Sequence, residues 1–135
     1  MSVSTVLEFT GTVEDLEKEL IPKIYKARIV SDDGIYTVEM DLHEEVKVYP
    51  KGTRVRFRIT KQIPDYDPED FVGKATLVST RVRSVSGESE KEVKYKEYLL
   101  SIGGLIVILK IKGLEHDPQL KPLDKVYIHI KELKS

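Results

Sequence analysis

The stretch TRVRFRITK (residues 53–61) decides the fold class, because its apolar and basic side chains alternate one by one. The apolar set is Val55, Phe57 and Ile59, and the basic set is Arg54, Arg56 and Arg58. A surface helix would place apolar residues three or four positions apart, whereas a period of two separates the two faces of an extended chain. The stretch therefore predicts a β-strand with a buried apolar face and an outer basic face.

Similar β-rich runs lie on both sides of this strand. Residues 23–30 and 35–42 are separated by Ser-Asp-Asp-Gly (31–34), whose Asp-Gly pair suits a tight hairpin turn. Further strands are predicted at residues 3–11, 44–49, 74–86, 92–102, 105–112 and 125–133, with one turn at Ser86-Gly87-Glu88-Ser89. Eight or nine short strands without crossover helices predict an all-β antiparallel barrel or sandwich.

Two segments depart from the strand pattern. Thr12-Val13-Glu14-Asp15 resembles a helix-capping sequence and predicts a short helical turn, with Leu16 and Leu20 on its buried side and Pro22 ending it. Residues 62–70 contain two prolines and four acids, which predicts an exposed loop.

Composition excludes several kinds of function. The 135 residues fit a single domain (1–135), and 22 Lys and Arg against 23 Asp and Glu leave no positive excess to hold a polyanion. Cysteine is absent, and His43, His116 and His129 lie on three separate segments without metal-ligand spacing. No phosphate-loop or nucleophile-elbow motif occurs. We therefore expect no metal, no cofactor and no catalytic site.

The sequence also bears on location. Its start lacks the basic and long apolar regions of a signal peptide, and the purely apolar run at residues 105–109 is far too short to span a bilayer. We expect a soluble, cytoplasmic protein. A charged fraction of 33% and the absence of Asn are typical of proteins from hot environments.

The run LIVILKI (residues 105–111) is apolar on both faces of a strand, although a barrel has only one interior. If Val107 and Leu109 point inward, Ile106 and Ile108 point outward and need cover. A partner chain could supply that cover, and so could the segment of Leu16 and Leu20.

Two basic rows suggest a second function. Arg54, Arg56 and Arg58 form one row, and Arg81 and Arg83 form another that could lie on a neighbouring strand. A barrel with a cationic face is typical of proteins that bind single-stranded nucleic acid. Alternating charges on an outer face are more often simply solvated, so we expect these arginines to be mainly solvent-facing.

The segment YLLSIGGLIVIL (residues 98–109) resembles the aromatic-rich strand, Gly-Gly-Leu hinge and aliphatic strand of the eighth small subunit of DNA-directed RNA polymerase. Residues 38–42 through 46–50 and residues 125–130 agree with that family in order and spacing. The resemblance extends from about Phe9 to Leu133. Compared with the eukaryotic pattern, loop 62–70 is much shorter, which suggests a compact archaeal form.

The resemblance implies an eight-stranded antiparallel barrel of the oligonucleotide-binding (OB) type, made of two half-folds, and no catalytic residue. It also implies an accessory subunit that docks on the outside of the largest polymerase subunit and supports assembly for transcription. Combined with the two-faced strand, it nominates Gly103, Gly104, Ile106 and Ile108 as partner-binding residues. The alternative function is a free barrel that binds single-stranded nucleic acid.

Overall fold

The computed structural model describes residues 4–86 and 92–134. Eight strands run through these two ranges, and no helix occurs in them. In chain order the strands are β1 (Thr5–Lys18), β2 (Ile24–Ser31), β3 (Tyr36–His43), β4 (Arg54–Thr60), β5 (Phe71–Ser86), β6 (Glu92–Ile102), β7 (Leu105–Lys112) and β8 (Lys125–Glu132). The predicted turn at residues 86–89 lies almost wholly outside the described residues. Since the described ranges contain no helix, none in them could cross a membrane.

The strands close into a barrel in the order β1-β2-β3-β7-β6-β5-β8-β4, with β4 returning to β1. Each neighbouring pair is antiparallel. The prediction of an all-β, eight-stranded antiparallel barrel is confirmed, and the OB type is consistent with this arrangement. Closure removes the edges that an open sheet would expose along most of its length.

The barrel interior holds the apolar face of every strand. Phe57, Val107 and Ile128, which lie on the apolar faces of three different strands, have no exposed surface. The Phe9 ring stacks on Phe57 at 5.1 Å between centroids and on Tyr36 at 5.3 Å. The alternation in the sequence therefore assigns the inward face of these strands correctly.

The predicted β2–β3 hairpin is confirmed. Ser31 donates its hydroxyl to Asp33 Oδ1 at 2.6 Å, and the Ile35 amide donates to the same oxygen at 2.9 Å. Gly34 has a φ of 75°, a conformation that glycine adopts without strain. The Ser-Asp-Asp-Gly turn thus fixes the register of the two strands.

The predicted helical turn at residues 12–15 is wrong, because β1 continues through it to Lys18. Pairing with β2 from Gly11 to Lys18, interrupted by a bulge between Val13 and Asp15, replaces the local capping pattern. Tertiary pairing satisfies more backbone groups than one isolated helical turn could. Leu20, which was expected to be buried, is fully exposed.

The strand predicted at residues 44–49 is also absent. The amides of Val46 and Lys47 both donate to the His43 carbonyl, which turns the chain instead of extending it. Tyr49 at the end of this segment is fully buried, and its hydroxyl donates to the Ile130 carbonyl at 3.1 Å. Val48 and Tyr49 therefore pack on the core without forming a ladder, whereas Val46 is exposed.

Candidate protein-docking site

Strand β7 is apolar on both faces, as its sequence predicts. Val107 and Leu109 on the inner face have no exposed surface. Ile106 on the outer face is 38% exposed, and Ile108 is half-buried. Covering an exposed aliphatic side chain with another surface removes it from water, which lowers the free energy of the system.

Strand β6 extends this outer apolar surface. Leu99 stands directly opposite Ile108, and Ser101 stands opposite Ile106. Directly paired residues share a face of the sheet, so these four side chains form one surface, which we call the outer β6–β7 face. Leu99 was not singled out in the sequence, although its position between the inward Tyr98 and Leu100 already predicts that it points outward.

A groove lies across the upper part of the outer β6–β7 face. Its volume is about 340 Å³, and its walls are Ser79, Thr80, Arg81, Glu97, Leu99 and Ile108. Ser79 of β5 is paired with Leu99. Ser79, Leu99 and Ile108 line one side of the groove. The ion pair between Arg81 and Glu97 lines the other side. Such a groove suits an apolar side chain with a polar neighbour.

The Gly103-Gly104 turn joins β6 to β7 at the end of this face. The φ angles are 54° and 94°, both in the region that side-chain-bearing residues rarely adopt. Both glycines are exposed, and a Cβ atom built on either would contact nothing within 4 Å. The two-residue hairpin turn therefore explains both glycines by itself, so the pair adds no independent sign of a partner.

The alternative cover for the outer face, the segment of Leu16 and Leu20, is not present there. Strand β1 is separated from β7 by β2 and β3 in the barrel order. Leu16 packs against the barrel core instead, and Leu20 is fully exposed. The chain's own β1 segment thus leaves Ile106 and Ile108 uncovered.

The arginine row on β4 faces outward, as expected, but two of its three charges are paired with carboxylates. Arg54 binds Asp32 through two nitrogens at 2.5 and 2.8 Å, and Arg56 lies 3.6 Å from Glu8. The hydrogen bond from Arg54 lowers the pKa of the Asp32 carboxyl. Arg58 donates to the Asp65 carbonyl at 3.4 Å. The row is therefore a set of local ion pairs and hydrogen bonds, not an uncompensated track for phosphates.

The second basic row does not lie beside the first. Strand β8 stands between β4 and β5, so the expectation of neighbouring strands is wrong. Arg81 and Arg83 lie farther along β5, beyond Thr76, where its pairing with β8 ends. Both contact the same Glu97 oxygen, at 3.2 and 2.7 Å. The five arginines consequently form two separate sites and no common nucleic-acid surface.

A buried hydrogen bond connects the acidic loop to β8. His129 Nε2 lies 2.8 Å from Asp70 Oδ2, and both side chains are at most 5% exposed. The Arg58 guanidinium, 3.1 Å from His129 Nδ1, can only donate, so Nδ1 accepts and Nε2 carries the proton given to Asp70. Burial tends to raise the pKa of Asp70, but hydrogen bonds from His129 and the Asp67 amide lower it overall.

Loop 61–70 is therefore only partly the exposed loop that its composition predicts. Asp65 and Tyr66 are exposed, but Pro64 and the side chain of Asp70 are buried against the barrel. Lys131 on β8 also binds Asp67, which attaches the loop to the barrel at a further point. His129 lies between the inward Ile128 and Ile130, so the alternation places its side chain on the outer face of the barrel. Its partner therefore had to come from a segment outside the barrel.

The three histidines do not meet. His43 accepts a hydrogen bond from the Glu45 amide at 3.1 Å, and the His116 ring packs edge-on against Tyr36. Within residues 4–86 and 92–134 no group of three or more His, Asp or Glu side chains is arranged to hold a metal ion.

Comparison with known proteins identifies the family. The family model of the G subunit (RpbG) of DNA-directed RNA polymerase matches residues 6–133, from β1 into the segment after β8. The DNA-directed RNA polymerase subunit Rpo8 of Sulfolobus acidocaldarius is 27% identical over 128 residues, which cover 94% of this chain and 98% of that relative. The resemblance carried by residues 98–109 is confirmed. The chain belongs to the RpbG family of DNA-directed RNA polymerase subunits.

Proposed function

We propose that this polymerase subunit is a non-catalytic accessory component of a cytoplasmic archaeal enzyme, and that it docks on the largest subunit and supports assembly. Family membership, with an archaeal relative that covers nearly the whole chain, supports the role in transcription. The uncovered outer β6–β7 face supports docking through a protein surface. Gly103, Gly104, Ile106 and Ile108 form its proposed contact region.

The chemistry of this face suits a protein partner better than a nucleic acid. Its centre is aliphatic, with Leu99, Ile106 and Ile108 together on one side of two paired strands. Each square ångström of apolar surface removed from water contributes about 25 cal/mol. A partner that buries the patch therefore gains binding energy without displacing any of the ion pairs on the other strands.

The alternative, a free barrel that binds single strands, has weaker support. Both arginine rows are engaged by carboxylates or carbonyl oxygens within the chain. A phosphate backbone would have to compete with these partners, and the net charge of -1 gives no long-range attraction.

Reconstitution of the polymerase with Ile108→Glu tests the docking proposal. A carboxylate in the middle of the buried patch should lower incorporation at least a hundredfold, because a desolvated and unpaired charge is costly. The matched control is Val30→Glu on the outer face of β2, which should incorporate normally. Circular dichroism should show both variants folded.

Pull-down by the isolated largest subunit then tests the identity of the partner. Normal incorporation of Ile108→Glu would refute the docking face. Capture of the wild-type chain only by other subunits would refute the largest subunit as the partner while preserving the accessory role.

A further inference from the structure

Strand β5 extends well beyond β8, one of its two neighbours in the barrel. β6 pairs with it as far as Ser86, but β8 pairs with it only from Phe71 through Thr76. Leu77 completes that ladder through hydrogen bonds with Asp124 and Leu123. Among the described residues, no strand lies along the other edge of β5 at positions 78–86. Here β5 forms the free edge of a sheet that continues through β6 to β7.

This edge is long enough to hold a peptide. Positions 78–86 extend about 30 Å at roughly 3.3 Å per residue, and about half of their N–H and C=O groups point away from β6. Free edges of this kind bind extended chains by adding a strand. Two features limit nonspecific pairing without blocking the edge. They are the bulge between Leu77 and Ser79 and the two arginines on this part of the strand.

The charges beside the edge favour an acidic partner. Arg81 and Arg83 are 59% and 52% exposed, and they share Glu97, whose side chain is only 10% exposed. One carboxylate cannot balance two guanidinium groups, so among the described residues one positive charge at the edge has no carboxylate of its own. A carboxylate on an incoming strand would pair with it at bidentate geometry.

The groove described above begins at the same edge. Ser79 separates the edge from Leu99 and Ile108, and its small side chain leaves the approach open. An added strand directs alternate side chains to the same face of the sheet. One apolar side chain of such a strand would therefore reach the groove while its neighbours stay beside the arginines.

We propose that the free edge of β5 at positions 78–86 receives an extended acidic segment of another polymerase subunit as an added β-strand. An apolar residue of that segment occupies the groove of Ser79, Leu99 and Ile108. The identity of the partner rests on the proposed function, whereas the mode of binding is a separate feature of this edge.

Other occupants fit the edge less well. A second copy that paired edge to edge would bring two Arg81-Arg83 rows together, and like charges on facing strands are destabilising. A nucleic acid would contact the arginines but could not satisfy a row of alternating amide donors and carbonyl acceptors. An acidic polypeptide satisfies both features.

Hydrogen–deuterium exchange of the free chain and of the assembled polymerase tests the proposal. Amides at positions 78–86 that point away from β6 should exchange fast in the free chain and at least tenfold more slowly in the polymerase. Arg81→Gln with Arg83→Gln should lower competitive incorporation against the wild type about tenfold. The control pair Lys61→Gln with Lys74→Gln removes the same charge elsewhere and should change incorporation less than twofold.

The outcomes separate the two proposals. Assembly without any change in exchange at positions 78–86 overturns strand addition and leaves docking through the outer β6–β7 face intact. A chain that does not assemble at all overturns both. Protection that nuclease treatment removes, or that a dimer of the free chain already shows, overturns the acidic segment in favour of a nucleic acid or a second copy.

Discussion

Two outer faces of the same barrel are built in opposite ways. The outer β4–β8 face carries arginines, a histidine and a lysine, and loop 61–70 lies over it through Asp70 and Asp67. The outer β6–β7 face carries leucine, isoleucine and serine, and Ile106 near its hairpin end remains exposed. The polar face is covered by the chain itself, and the apolar face is open.

This difference indicates which outer face the chain covers with its own residues and which face is left for another chain to cover. Covering a charged face from within pairs most of its charges locally and leaves little for an external ligand to gain, although the Nε atoms of Arg56 and Arg58 are buried without a hydrogen-bond partner among the described residues. An exposed apolar face is stabilised only when a surface of another molecule covers it. A subunit of a multisubunit enzyme is expected to expose such a face before assembly.

The largest effect should come from the interior that both faces share. Phe57→Ala removes a fully buried ring that stacks on Phe9, which should lower the free energy of unfolding by about 3–5 kcal/mol. Urea denaturation measures it, with the exposed Ile63→Ala as a control that should change little. A midpoint that hardly moves would mean that β4 faces the other way, and the comparison of outer faces would collapse.

A smaller effect should come from the pair that holds the covered face together. Asp70→Asn replaces the carboxylate that accepts from His129, at a cost of about 1–3 kcal/mol near pH 7. The exposed Asp67→Asn is the matched control and should cost much less.

The pH dependence of this difference sharpens the test. Folding lowers the pKa of Asp70, so its contribution is fully present above the unfolded value of about 3.9 and is lost as the pH falls through the folded pKa. The stability gap between wild type and Asp70→Asn should therefore begin to narrow below about pH 4 and close once the pH is below the folded pKa. A gap that persists at lower pH would show that the carboxylate charge does not hold the loop.

Local alternation was enough to assign the faces of β4 and β7, and it correctly predicted that Ile106 and Ile108 point outward. It could not show that β8 would separate Arg58 from Arg81, since strand order depends on contacts between distant segments. It also missed the burial of Asp70, because an acidic, proline-containing loop has the same composition whether or not it folds back. Long-range pairing decides both features.

The smallest effect should come from the arginine row on the covered face. Replacing Arg54, Arg56 and Arg58 together with Ala should change any affinity for a single-stranded oligonucleotide by less than about twofold, because the row is already paired with acids and carbonyls. Fluorescence anisotropy at several salt concentrations measures this. If the row does hold phosphates, the wild-type chain should bind below micromolar at physiological salt, and the triple variant should reduce the salt slope by up to about three ion equivalents. That result would show that the β4–β8 face binds nucleic acid. Both outer faces would then be binding surfaces, and cover by the chain's own loop would no longer distinguish a surface without a ligand from a docking surface.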